Sequence, residues 1–205
     1  MNIPIGDDDK PLIIKVASIP TAKLQVYFID NEDYFKRKTV FNNKAGKFHK
    51  DNDERCLFFC KGVLETVIKL GWSPDIIHCN DWMSSLIPLL IKTSYSDRHI
   101  FENTKCIFSI YENSFKEKLD KKMIDKIIDE DIDKEMLSSL KSNDYSGLIK
   151  IASEYSDAII RPDKDLNKSL EESISSISPK NKVHKIPENE KSVESHYKLY
   201  NEILN

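Results

Sequence analysis

The 205-residue chain, 23.8 kDa with 40% hydrophobic and 32% charged residues, is long enough to bury one sizeable core, so a single domain is the default. Its 31 basic and 34 acidic residues are mixed along the chain and leave a formal net charge of -3. No cationic field is there to neutralise phosphates or anionic lipid, which argues against nucleic acid and membrane surfaces as partners.

Residues 1–10 are polar and acidic where a signal peptide would be basic and then apolar, and no apolar run approaches the roughly 18 residues of a spanning helix. A cytoplasmic protein is expected. Residues 11–19 (PLIIKVASI) and 23–30 (KLQVYFID) are β-rich runs divided by Pro20-Thr21-Ala22, and they predict a strand pair. Residues 31–50, with Asn42-Asn43 and Gly46, form a polar surface excursion. From Asp51 the pattern turns helical: Leu57, Phe58, Val63, Leu64, Val67 and Leu70 recur at three and four, and Gly71 stops the run. Trp72-Ser73-Pro74 leads into Asp75-Ile76-Ile77-His78-Cys79, a short apolar run of buried-strand type. Residues 84–95 predict a helix whose start Pro88 kinks or shifts, and 105–111 predict a second buried strand.

This alternation, with connections of a few residues, is that of βαβ units on a parallel sheet, so the fold class is α/β. From 116 onwards the chain is rich in Lys and Asp. Met123, Ile127, Ile128, Ile132 and Leu137 predict amphipathic helix there, its charges a solvated face rather than a binding tail. A helix over 146–155, a strand over 158–161 and a helix over 164–177 make a last α/β unit, and 192–204 predict a helix that packs back. The four cysteines form no C-x-x-C pair and are expected as buried thiols, and the five histidines lack ligand spacing, so no metal is expected.

In an open parallel sheet, ligands bind at the carboxyl ends of the strands, where loops converge and helix N-termini point N–H groups into the crevice. Two loops of this sequence qualify. His78-Cys79-Asn80-Asp81-Trp82 gathers an imidazole, an amide, a carboxylate and an indole, a set suited to hydroxyl-rich ligands because carboxylates and amides bond sugar hydroxyls and an aromatic face stacks on a pyranose. The competing reading makes Asp81 a helix N-cap and Trp82 a core residue. The second loop is Tyr111-Glu112-Asn113-Ser114.

The blocks Asp51-Asn52-Asp53-Glu54-Arg55 and Pro74-Asp75-Ile76-Ile77-His78-Cys79-Asn80-Asp81-Trp82, then a strand ending Phe108-Ser109-Ile110-Tyr111, closely resemble the N-terminal catalytic domain of starch and glycogen synthases of glycosyltransferase family 5. The likeness runs in order over roughly residues 11–115, and Glu154-Tyr155-Ser156-Asp157-Ala158 is similar to a later strand entry. It implies a Rossmann-like sheet forming one half of a GT-B fold, with ADP-glucose as donor substrate, no further cofactor, and an α-glucan or malto-oligosaccharide as acceptor. Asp81 falls on the acidic residue of the family's H-x-H-D-W motif and is the implied catalytic residue. His78, Asn80, Trp82, Tyr111, Asp51 and Arg55 are the implied substrate-binding residues. Asn80 stands where the motif has its second His, and Tyr111 where the family's later strand ends in His. The family's first strand and K-x-G-G-L phosphate loop find no counterpart, nor does the donor domain. The expectation is therefore a single synthase-like domain over 1–205, incomplete alone and served by a separate donor-domain protein. The alternatives are a non-catalytic glucan-binding or regulatory module, and an α/β scaffold that only supports protein contacts.

Overall fold

The computed structural model describes residues 1–111, 115–162, 165–177, 183–187, 189 and 192–205. Two antiparallel hairpins precede the α/β body. The first joins β1 (Asn2–Ile5) to β2 (Asp8–Pro11) through a two-residue turn in which Gly6 takes φ 58. The sequence reading saw only polarity here, yet Ile3 and Ile5 alternate inward and are buried. The second hairpin pairs β3 (Ile13–Ile19) with β4 (Leu24–Asp30), as expected from the two β-rich runs.

Asn31, whose side chain accepts from the Tyr34 amide, caps the one-turn helix α1 (Glu32–Phe35). The chain then loops to α2 (Asn52–Leu70), which ends where Gly71 adopts φ 65 and returns its N–H to the last carbonyls. Residues 31–50 are less of an excursion than their polarity suggests, because Tyr34 in α1 and Phe48 in the loop are buried. A Cβ at Gly62 would stand 2.7 Å from the Ile29 methyl, so the absence of a side chain there lets α2 lie close against the second hairpin.

The body is a parallel sheet in the order β5 (Ile76–Asn80), β6 (Lys105–Ser109), β7 (Ala158–Pro162), β8 (Val183–Ile186). Cys79, Cys106, Phe108 and Ile159 join the main core with α2, α3 (Ile87–Lys92) and α5 (Tyr145–Tyr155). Ile107, Ala158, Ile160 and Ile186 face the opposite way and are covered by Leu199, Tyr200 and Ile203 of α7 (Ser192–Leu204). With both faces covered, β7 is buried throughout, and its first three residues, Ala158, Ile159 and Ile160, are apolar without alternation. Between β7 and β8 lies α6 (Lys168–Ile177). Pro88 falls in the first turn of α3 and delays its start, as the sequence implied.

The amphipathic helix expected after 116 is overturned. Only α4 (Met123–Ile127) is α-helical in that stretch, followed by a 3₁₀ segment over 138–142. The reason is local: Asp120, Asp129 and Asp133 accept backbone N–H groups of Lys122, Asp131, and Glu135 with Met136, offering the chain turns in place of helix. Met123, Ile127, Ile132 and Leu137 are nevertheless buried, so the apolar positions were informative although their period was not. All four cysteines are buried free thiols.

Candidate functional site

Strands β5 and β6 run parallel, so the loops after them emerge at the same edge. The Tyr111 hydroxyl donates to Asn80 Oδ1 at 3.0 Å, joining the two loops directly; Glu112, Asn113 and Ser114 lie outside the described residues.

Asp81 follows β5 in an unusual backbone state, φ 61 and ψ -179, a region nearly reserved for glycine. Three attachments hold it there. Its N–H donates to the Ser109 carbonyl at 3.0 Å, extending the ladder one residue past the strand. Its carbonyl accepts from the Ser84 amide at 3.1 Å and the Ser84 hydroxyl at 2.9 Å. The next residue, Trp82, is anchored in the core at 1% exposure among Phe41, Phe48 and Phe115. Beneath the turn, the Cys56 and Cys60 thiols donate to the carbonyls of Trp82 and Met83. Although Asp81 precedes a short 3₁₀ turn (Trp82–Ser84), its side chain does not cap it. Asp81 Oδ1 instead lies 3.2 Å from the Tyr145 hydroxyl at the start of α5, which also donates to the Tyr111 carbonyl at 2.5 Å. One phenolic proton thus serves two acceptors, and the shorter contact takes the larger share.

The other sequence-derived candidates divide. Asn80 and Tyr111 are exposed beside Asp81. Trp82 is buried at the centre of an aromatic cluster with Phe41, Phe48 and Phe115, and the four rings line one cavity. His78 Nε2 meets the Ser109 hydroxyl at 2.7 Å and its Nδ1 the Tyr200 hydroxyl at 2.6 Å, so both ring nitrogens are engaged within the protein. Asp51 and Arg55 stand at the start of α2, where the next residue, Cys56, reaches the Trp82 carbonyl. Asp51 pairs with Arg37, and Arg55 binds the Val40 carbonyl and the Asn52 side chain. Tyr145, His196 and Tyr200 were missed, since none sits in a pattern that announces its place, and Ser109 was read only as part of a strand end. Ser109, Tyr111, Arg161 and His196 line a small crevice at the ends of β6, β7 and β8.

Burial, and secondarily the His196 ring 5.7 Å away, push the His78 pKa down to about 4. The unfolded chain takes up this proton near pH 6.5, while the folded chain resists until about 4, so His78 subtracts stability as pH falls through that window. We expect the wild type to be about 2 kcal/mol less stable at pH 5 than at pH 7 from this group alone. His78→Gln, which keeps hydrogen bonding but does not titrate, should flatten the dependence in paired urea titrations. An equally steep profile in the variant would place the pH response elsewhere.

Among the described residues no helix is long and apolar enough to cross a membrane. The sequence model of the starch synthase catalytic domain matches residues 2–172. Glycogen synthase of Chlorobium luteolum is 44% identical over 118 residues, 57% of this chain and 24% of that protein. Glycogen synthase of Chlorobaculum parvum is 38% identical over 130 residues, 61% of this chain and 27% of that protein. The chain therefore spans about a quarter of the length of these curated relatives. The catalytic domain of starch synthase IV from Arabidopsis thaliana, bound to ADP and acarbose, superposes with a TM-score of 0.70 at 17% identity, covering 91% of this chain and 38% of that one. At that identity the likeness establishes the fold, half of a GT-B architecture.

Proposed function

The chain belongs to the starch synthase catalytic domain family, and from that premise we propose that residues 1–205 form one acceptor-side domain of an α-glucan glucosyltransferase, with ADP-glucose as the donor. The observation that carries this reading is Asp81: a carboxylate held in a strained backbone state at the carboxyl edge, next to Asn80, which Tyr111 bonds, and within reach of the Tyr145 hydroxyl. Strain of this kind survives only where the surroundings over-determine it, and it gathers at functional positions. Asp81 would accept hydrogen bonds from glucosyl hydroxyls and steady positive charge developing at the sugar during transfer. Asn80 and Tyr111 would orient the same unit. Transfer would further require groups that hold the diphosphate of the donor.

A second reading, a glucan-binding or regulatory module without turnover, is favoured by one specific feature. The family's imidazoles at this edge are replaced by Asn80 and Tyr111, an amide and a phenol that can bond sugar hydroxyls. Two measurements separate the readings. Calorimetric titration with maltoheptaose is expected to show binding under both. Transfer of labelled glucose from ADP-glucose to glycogen, assayed with the donor-binding domain of a glycogen synthase added, is expected only under the first. Absence of binding and of transfer alike would sink both.

A further inference from the structure

We propose that the groove between the β3–β4 hairpin and α2 is a second ligand site, separate from the strand-end crevice, which takes a small organic carboxylate with an aromatic or aliphatic body. Arg55 would hold its anionic end.

The groove is about 540 Å³, within the range of small-molecule sites, and its walls are mostly apolar: Phe28, Phe35, Phe41, Phe59 and Met83 among them. Lys15 and Asp30, paired with each other, stand among its lining residues. Its one buried cation is Arg55, 3% exposed. A buried guanidinium is ordinarily matched by a carboxylate, because an uncompensated interior charge is costly. Arg55 has no such match. Among the described residues no carboxylate lies within ion-pair distance of it; the nearby Asp51 is taken by Arg37. The Arg55 contacts are instead to neutral oxygens and a ring: Nη1 to the Val40 carbonyl at 2.6 Å and to Asn52 Oδ1 at 2.5 Å, with the guanidinium 5.4 Å from the centre of Phe35. Its buried Nε–H has no acceptor. Burial, followed by the nearby Arg37, lowers the Arg55 pKa, the direction expected of a cation short of negative charge.

The geometry also selects the shape of the ligand. With Nη1 committed to Val40 and Asn52, Nε and Nη2 are the donors left for a ligand, a pair whose spacing suits the two oxygens of a carboxylate. The apolar walls then ask for a hydrophobic body and disfavour a sugar, whose hydroxyls would find few partners there.

The test uses 3-phenylpropionate and its uncharged counterpart 3-phenylpropan-1-ol, titrated by calorimetry against the wild-type chain, Phe28→Ala and Arg55→Gln. Phe28 is 51% exposed, so its truncation removes a wall of the groove without opening the core. The acid is expected to bind at least tenfold more tightly than the alcohol. Phe28→Ala should weaken the acid severalfold, and Arg55→Gln, if it folds, should erase the difference between the two ligands. Excess maltotriose should not compete. The proposal is overturned if acid and alcohol bind equally, if neither binds at millimolar concentration, if Phe28→Ala leaves the acid unaffected, or if maltotriose displaces it. None of these outcomes depends on glucan binding at the strand ends.

Discussion

Replacing Asp81 by glycine is expected to make the protein more stable and to deprive it of sugar binding at once. A non-glycine residue at φ 61, ψ -179 carries strain on the order of 1 to 3 kcal/mol, which glycine relieves. Against this stands the extra freedom glycine gains in the unfolded chain, about 0.5 to 1 kcal/mol. The net is a gain of about 1 kcal/mol, or roughly 2 to 4 °C in melting temperature for a domain of this size. The lost carboxylate should weaken malto-oligosaccharide binding by about 1 to 3 kcal/mol, the scale of a hydrogen bond to a charged group. Asp81→Ala is the necessary control, since it removes the carboxylate but keeps the strained φ; it should lose the same affinity with no gain in stability. Thermal melts and calorimetric titrations of the three proteins separate the two contributions. A glycine variant that melts lower, or binds sugar as the wild type does, would show that the carboxylate serves the fold and not the ligand.

The sequence exposed this position because its signals are local. A short apolar run ending in His78-Cys79-Asn80-Asp81-Trp82 marks a strand end, Gly71 marks a helix stop, and Pro88 marks a delayed start. The strain at Asp81 was not legible, for the pattern offers only an N-cap, and the structure shows no capping bond. Tyr145 was not legible either: it reaches Asp81 from 64 residues away, through the packing of α5 beside β6. The same gap explains His78 and Trp82. Residue type suggested sugar contacts, while tertiary packing engaged the imidazole with Tyr200 and Ser109 and enclosed the indole among three phenylalanines. The stretch after 116 failed for a further reason, since closely spaced aspartates compete for backbone N–H groups that an apolar period alone assigns to a helix.

The α2 N-terminus, which the family resemblance ties to substrate, also holds the most heavily buried ion pair in the described structure. The Asp53 side chain is fully buried, and Lys126 of α4 donates to its Oδ2 at 2.7 Å and to Glu54 Oε1 at 2.8 Å. Asp53 Oδ1 has no hydrogen-bond partner, so the neutralisation of this carboxylate rests largely on one amine. Lys126→Met keeps most of the packing of the side chain and removes that charge. It is expected to cost about 3 to 5 kcal/mol near pH 7, the penalty for leaving a buried ion uncompensated. The pH dependence carries the diagnosis. Burial already raises the Asp53 pKa above its ordinary value despite Lys126, and losing the amine must raise it further. A carboxyl whose folded pKa exceeds its unfolded one binds more protons when folded, so its penalty is present above the folded pKa and lifts as pH falls towards the unfolded value. The stability gap between Lys126→Met and wild type should therefore narrow from pH 7 towards pH 5. Asp53→Asn combined with Lys126→Met should recover part of the loss at neutral pH. Urea titrations across that range test both statements; a gap that stays constant with pH would mean that Lys126 acts through packing and not through its charge.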